Sequence, residues 1–469
     1  MNVSTGRYTC RARDCRCISL SVGVASVSPD PATHPSVYMP FLTDLDTRAA
    51  IKGSRDPLGL VPLWSRFGRK VVGNLSTVSN SVRGFTTLLL GYHFAAEAQA
   101  RAGRDQSTLD LFLKFEQLAA YSRFHVNRDR EFRGSERVMA FLEKSRRITI
   151  GANPSHQILG DQKIYGLWGL FSVAARESGL LAQRETLLTS TARNFVERHY
   201  ISRLTSDGFK DGRRVVDVLS RDHSDVHLEG RDSTLANSLA AILSPRCSAA
   251  ERSFYHDHLA SCADNDKTDG CQTLLTRLLT ELDPRSQFGM AELELTKGRA
   301  SRDQDGELLA SHLAAIASLE SLLVPMNSAF GFLLTRDRQS IESVAGEIRA
   351  EWGRSLAHVD PGAIALLRPR IAAAFHDDAE VAERFHEIAL SLRKGRYEDV
   401  LRLLLKHNAY VMQTRTGSSP WAIDERGRIA VKYRDESGRL IGGDELSQAW
   451  QNTYFINSLK TVVDTLRVP

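Results

Sequence analysis

The chain has 469 residues, of which 42% are hydrophobic and 25% charged, and its formal net charge is +5. This composition is ordinary for a globular protein that buries a sizeable core, so it excludes general disorder. Six cysteines are few for this length, which excludes a disulfide scaffold. The net charge is too small to indicate a class of partner.

Arginine is far commoner than lysine, with 49 and 12 residues respectively. Two interpretations are open. A GC-rich bacterial genome favours arginine codons, and the guanidinium group also suits bidentate contacts to phosphate or carboxylate.

The first 38 residues carry four arginines, many serines and prolines, and three cysteines, Cys10, Cys15 and Cys17. We expect residues 1–38 to be a disordered tail or a misassigned start before Met39. The segment 18–27 is too rich in serine for the apolar region of a secretory signal. No apolar run approaches the ~18 residues of a membrane span, so we expect a cytoplasmic protein without a membrane partner.

From about Leu75 onward, apolar residues return every three or four positions, which predicts helices. Ser107 is an expected helix cap, Ser135 is expected to start another helix, and residues 163–180 are predicted to form one aromatic-rich helix. Residues 147–150 are a candidate strand. Residues 307–334 are apolar enough for a central buried helix, which Pro325 should break or kink.

Farther along, Asp360-Pro361 begins a helix, Asp377 or Asp378 caps the next, and Gly395 ends it. The alternation in residues 421–433 around a Gly427 turn predicts a β-hairpin. A final helix is expected over residues 445–466.

The sequence therefore predicts a mainly α protein, an irregular multi-helix bundle or array with a small β-hairpin near the C-terminus. Polar, turn-rich stretches place domain changes near residues 230 and 415. The expected units are a basic helical domain (39–230), a second helical domain (231–415), and a hairpin with a C-terminal helix (416–469).

Motifs that carry known chemistry are missing from the sequence. It contains no phosphate-binding P-loop, no GxGxxG, no GxSxG and no HExxH. The missing motifs favour a non-catalytic protein over an enzyme, without excluding an enzyme. The sequence indicates no cofactor.

Two clusters of possible metal ligands leave an alternative open. Thiolate and imidazole suit tetrahedral zinc, but the spacings are loose and free cysteines are commonly buried in cores. For the second cluster, a solvated acidic loop that carries two histidines is the favoured interpretation. The clusters are Cys247, His256, His258, Cys262 and Cys271, and Asp222, His223, Asp225, His227, Glu229 and Asp232.

Positive charge is concentrated early in the chain. Residues 39–150 carry 18 basic and 11 acidic residues, the tail is net +2, and the rest of the chain is net −4. Within this part, arginines interleave with Phe124 and Phe132, as expected of a surface that neutralises phosphates and stacks bases. The candidate binding residues are Arg123, Arg128, Arg130, Arg133, Arg137, Lys144, Arg146 and Arg147.

The same residues permit other interpretations. Asp129, Glu131 and Glu136 can pair with the arginines, which would leave plain surface or a contact with an acidic protein. Aromatic residues offer a second candidate interface, because Tyr454 and Phe455 would point to different sides of a helix and leave one ring for a partner.

Three functions follow from these observations. The leading expectation is a non-catalytic helical binding or scaffold subunit of a bacterial multi-protein assembly, with other protein subunits as partners. The alternative is a nucleic-acid-binding component of a DNA-processing or phage-defence system. The third is a metal-dependent enzyme.

Overall fold

The computed structural model describes residues 56–102, 106–183, 187–205, 211–433 and 438–467. They belong to one compact unit, Ile51–Pro469. The predicted tail, residues 1–38, lies outside the described residues.

Helices dominate the described residues, which confirms the mainly α class. The first ten are α1 (Leu60–Gly68), α2 (Val82–Ala102), α3 (Thr108–Ser122), α4 (Ser135–Lys144), α5 (Gln162–Tyr165), α6 (Leu167–Glu177), α7 (Ser190–Val196), α8 (Ser202–Thr205), α9 (Asp211–Leu219) and α10 (Ser233–Ile242). The others are α11 (Ala249–Tyr255), α12 (Cys271–Leu279), α13 (Met290–Ala300), α14 (Glu307–Leu333), α15 (Ile341–Trp352), α16 (Pro361–Ala374), α17 (Ala379–Arg393), α18 (Tyr397–Thr416), α19 (Gly443–Leu446) and α20 (Ile456–Arg467). Single π-helical turns continue α3, α7 and α11.

Polar side chains set several helix starts where the sequence predicts them. The Ser107 hydroxyl accepts a hydrogen bond from the Asp110 amide at 3.1 Å, and the Asp360 carboxylate accepts one from the Gly362 amide at 2.8 Å. Asp378 caps α17, and Gly395 follows that helix with a φ of 62°. Each contact satisfies backbone groups that the helix itself cannot pair.

Two small antiparallel sheets complete the fold. The predicted hairpin is present as β3 (Ala422–Glu425) and β4 (Arg428–Val431). The candidate strand is β1 (Arg147–Gly151), and it pairs with β2 (His223–His227). The favoured prediction of a solvated acidic loop is wrong for residues 223–227, because they form a strand whose partner, β1, lies about 75 residues earlier in the chain.

Two predicted helices are each interrupted. Gly166 separates α5 from α6, where a single helix over 163–180 was expected. The expected helix over 445–466 is α20 alone, preceded by the short α19 and an irregular segment. Tyr454 and Phe455 adopt φ values of 46° and 64° immediately before α20, so they cannot continue a right-handed helix.

The buried side chains form one continuous apolar cluster from Leu58 to Leu466. In the first half of the unit, α2 packs on α3, α6, α7 and α9. In the second half, α14 packs on α1, α12, α13, α16 and α18. These two long helices therefore organise the core.

Helix α14 is continuous through Pro325, so the predicted break is absent, whereas a kink at that residue stays a prediction. By length and composition alone α14 could cross a membrane, but 61% of its apolar 18-residue window is buried inside the protein. A buried core helix can have the same length and apolar composition as a membrane-spanning helix.

Contacts cross both positions at which the sequence places domain changes. The Gln272 side-chain amide donates to Asn74 Oδ1 at 2.8 Å, across residue 230. The buried Glu320 carboxylate accepts from the Tyr454 hydroxyl at 2.8 Å and from the Gln451 amide at 2.7 Å, across residue 415. The three predicted segments therefore pack directly on one another.

Candidate functional site

The candidate basic residues lie on a loop and a short helix next to α3. A π-helical turn, Arg123–Asn127, ends at Arg128, which has a left-handed φ of 55°. A loop then leads to Gly134, whose φ of 83° precedes α4. A side chain at Gly134 would meet the Ile158 carbonyl, because a Cβ there would lie 2.6 Å from that oxygen. The loop is therefore held close against the segment that follows β1.

Arg123 is buried and belongs to the interior of this region. Its guanidinium contacts the Asp129 carboxylate at 2.5 Å, and both side chains are about 5% exposed. The same guanidinium lies 5.2 Å from the centre of the Phe132 ring. Arg123 therefore fixes the loop from inside, and it is not part of the exposed basic surface.

Arg146 and Arg147 form ion pairs with two acidic residues, one in β2 and one just after it. Arg146 contacts Glu229 at 2.9 Å, and Arg147 contacts Asp225 at 2.7 Å. The hydrogen bonds from Arg147 and Thr149 lower the pKa of the Asp225 carboxyl. These pairs neutralise much of the charge at the β1 end of the segment.

The remaining five cations form what we call the arginine surface: Arg128, Arg130, Arg133, Arg137 and Lys144. Arg137 is partly buried and the other four are exposed. Across the part of the chain that the structure describes, none of the five makes an ion pair within 4.0 Å. The Arg128 guanidinium lies 6.0 Å from the Phe124 ring centre, and Phe141 on α4 is 42% exposed.

Acidic side chains accompany the arginine surface without pairing with it. Glu131, Glu136 and Glu143 are exposed. Five cations and three carboxylates leave a net charge of +2 after the ion-paired residues are set aside. The sequence offers Asp129 as a partner for Arg123, six positions away, but it could not show that Arg146 and Arg147 are paired, because Glu229 and Asp225 are distant in the chain.

A cavity of about 220 Å³ opens beside the arginine surface. It is bounded by the start of α2, by α3, by the loop after Arg128 and by α6, and Arg133 is one of its lining residues. Two aromatic rings, Phe132 and Phe171, form part of its wall. Gly84 on α2 allows the close approach of Phe171, because a Cβ there would lie 2.6 Å from that ring.

Three buried polar residues line this cavity, Thr87, Arg123 and Glu116 on α3, and Glu116 is only 4% exposed. Its carboxylate accepts hydrogen bonds from the Leu167 amide and from the Gln162 side chain, both at 2.8 Å. Burial raises the pKa of Glu116 to about 7, although the two hydrogen bonds oppose the shift. A side chain at Gly166 would approach the carboxylate to 2.7 Å, so glycine is needed there.

The two predicted metal clusters are not assembled. Among the described residues, no three His, Cys, Asp or Glu side chains lie together in a way that could hold a metal ion. His258 Nδ1 lies 3.1 Å from the Ser178 carbonyl, and the Cys262 thiol donates to the Glu177 carbonyl. Burial raises the pKa of Cys271 to about 11, which opposes the thiolate form that binds metal.

Three carboxylates of the second cluster likewise have other partners. His223 and His227 lie at the two ends of β2. Asp225 and Glu229 pair with the arginines described above. Asp232 is buried, contacts Arg214 at 2.7 Å, and accepts from the His227 amide.

The predicted aromatic interface is wrong for the C-terminal segment. Tyr454 is fully buried and Phe455 is 5% exposed. Their ring centres lie 5.9 and 5.3 Å from that of Trp64 on α1. Trp168 is half-buried and stacks on Tyr92 at 5.1 Å. These rings pack in the core, so neither Tyr454 nor Phe455 is left exposed for a partner.

The chain matches no protein-family model, and comparison with curated proteins and with solved structures found no match.

Proposed function

We propose that this protein binds nucleic acid, with the phosphate backbone held on the arginine surface. The observation that carries the proposal is the contrast between paired and unpaired cations. Arg123, Arg146 and Arg147 have carboxylate partners, whereas the five cations of the arginine surface have none within 4.0 Å among the described residues. Unpaired arginines keep all their donors for phosphate oxygens.

The surroundings of the arginine surface support nucleic acid over a plain solvated face. Phe141 is exposed on the same helix as Arg137 and Lys144, and Phe132 lies between Arg130 and Arg133 in the loop. Aromatic rings beside arginines provide stacking platforms for unpaired bases. An acidic protein partner would use the charge but would not require the rings.

Binding of a fluorescein-labelled 20-nucleotide single strand, followed by fluorescence anisotropy, tests the proposal. Arg130→Glu and Lys144→Glu should each weaken binding severalfold, because each removes a cation and adds a repulsive charge. Arg354→Glu is the matched control, since Arg354 is exposed, makes no ion pair among the described residues, and lies beside Gly395. Equal affinity for all four proteins, or no binding by the wild type, would overturn the proposal.

The scaffold-subunit function stays a prediction. Leu366 is 83% exposed and Val173 is 64% exposed, but they lie on different helices. Single exposed apolar side chains are ordinary for a folded protein. A role in DNA processing or phage defence, and a cytoplasmic location, are compatible with nucleic-acid binding and are proposed only with it.

A further inference from the structure

The cavity beside the arginine surface has the size of a site for one group of a larger ligand. Its volume of about 220 Å³ is below the ~300–1,000 Å³ of pockets that enclose a whole drug-sized molecule. Arg133 belongs both to the cavity lining and to the arginine surface. A polyanion on that surface therefore passes the mouth of the cavity.

The walls of the cavity suit a flat ring. Phe132 and Phe171 contribute aromatic faces or edges, and Val78, Ala120, Ile158 and Leu167 add apolar surface. Enzymes and binding proteins that extract a base from a strand hold it between such side chains and read its hydrogen-bonding edge. An apolar tail would fill the same space but would leave the buried carboxylate of Glu116 without a further partner.

The carboxylate of Glu116 selects among the bases. Each of its oxygens already accepts one hydrogen bond, from the Leu167 amide and from Gln162. A carboxylate has about four acceptor sites, so two remain, one on each oxygen. Two parallel acceptors call for two adjacent donors. Guanine presents such a pair at N1–H and the N2 amino group, whereas adenine, cytosine and uracil have no two adjacent N–H donors on the same edge.

We propose that this cavity receives an unpaired guanine base, whose N1–H and N2–H donate to the Glu116 carboxylate while its strand lies on the arginine surface. This inference rests on the proposed nucleic-acid binding and names the base that is read. Burial raises the pKa of Glu116 to about 7, so this carboxyl group changes from mainly protonated to mainly ionised between pH 6 and pH 8. Only the ionised carboxylate offers both acceptors, so guanine preference should strengthen as the pH rises from 6 to 8.

Two oligonucleotides test the inference, an 11-mer of thymidylate and the same strand with one central guanine, and a third with one central adenine is the control. The wild type should bind the guanine strand about tenfold more tightly, as expected of a bidentate contact. Glu116→Gln should bind both strands alike, at the affinity of the plain strand, because one acceptor is replaced by a donor. A strand with central adenine should behave as the plain strand does.

Ala120→Leu provides a second variant that does not touch Glu116. The larger side chain fills the cavity and should also abolish the guanine preference while leaving the salt-dependent affinity for the plain strand. Ala291→Leu is its control, since Ala291 lines a different depression on α13. If Glu116→Gln fails to fold, the guanine preference of Ala120→Leu tests the site instead.

The possible outcomes separate the two proposals. If neither strand binds the wild type, the nucleic-acid function fails and the guanine site fails with it. If both strands bind the wild type equally and with steep salt dependence, only the guanine site is overturned. A preference for guanine that survives both Glu116→Gln and Ala120→Leu would also overturn the assigned site.

Discussion

The Arg123 guanidinium and the Asp129 carboxylate form a buried ion pair at 2.5 Å, and this pair holds the loop that carries the arginine surface. Asp129 also accepts a hydrogen bond from the Glu131 amide at 2.8 Å. The pair therefore joins the end of α3 to the middle of the loop. It is a structural contact inside a region whose arginine surface is mostly exposed.

Asp129→Ala should lower the free energy of unfolding by about 3–5 kcal/mol, because it leaves the Arg123 charge buried without a partner. Arg130→Ala, one position away and exposed, should change it by no more than ~0.5 kcal/mol. Urea unfolding followed by circular dichroism measures both. Similar losses for the two variants would show that the buried pair does not hold the loop.

The stability of the wild type should respond to pH through Glu116. Its pKa of about 7 in the folded state exceeds its ordinary value of 4.5, so the folded protein binds more protons than the unfolded chain between these values. The free energy of unfolding therefore falls as the pH rises from about 4.5 to about 7, by on the order of 3 kcal/mol.

Glu116→Gln removes this titrating group and provides the comparison. The difference in free energy of unfolding, wild type minus variant, should decline steadily over that pH range in urea titrations. A difference that stays constant, or that grows with pH, would contradict the burial of an unpaired carboxyl group.

His407 should produce the opposite pH dependence. Its Nδ1 accepts from the Arg384 guanidinium at 3.3 Å, so Nε2 carries the proton that is donated to the Leu58 carbonyl at 2.8 Å. Burial lowers the pKa of His407 to about 3. Between pH 3 and 6.5 the unfolded chain binds more protons, so stability is lost as the pH falls below 6.5.

Relative to His407→Gln, the wild type should lose on the order of 2–3 kcal/mol of unfolding free energy between pH 6.5 and pH 4.5. Nuclear magnetic resonance of the ring carbons supplies an independent readout. The His407 ring should remain neutral at pH 5, and a midpoint near 6.5 would contradict the neutral buried imidazole.

Gly68 allows the C-terminal segment to pack on α1. A Cβ at Gly68 would lie 2.6 Å from the Tyr454 carbonyl oxygen, so Gly68→Ala should lower stability by about 1–3 kcal/mol. Gly346 on α15 is exposed, and a Cβ there meets nothing within 4 Å. Gly346→Ala should therefore raise stability by about 0.5–1 kcal/mol. Thermal unfolding of the two variants should move in opposite directions.

The sequence predicts those features of the fold that depend on neighbouring residues. Ser107, Asp360 and Asp378 cap helices because a capping side chain contacts an amide two or three positions away. The β3–β4 hairpin follows from its turn for the same reason. Pro325 is different, because α14 continues through it and packs on helices that are distant in the chain, which the local effect of proline does not predict.

The candidate site depends on contacts between distant residues, and the sequence predicts less of it. Arg128 and Arg130 look the same in the sequence as Arg123, Arg146 and Arg147, yet among the described residues only the last three have carboxylate partners. The cavity is invisible in the sequence, because its walls come from α2, α3, α6 and the loop between α3 and α4.

The salt dependence of binding tests the central claim most directly. For a single strand, the logarithm of the association constant should fall linearly with the logarithm of salt concentration, with a slope of about −0.7 for each phosphate contact. The combined variant Arg128→Ala, Arg130→Ala and Lys144→Ala should lose about three contacts and reduce that slope by about two units. Binding by the wild type that is insensitive to salt, or a slope unchanged in the combined variant, would contradict nucleic-acid binding by the arginine surface.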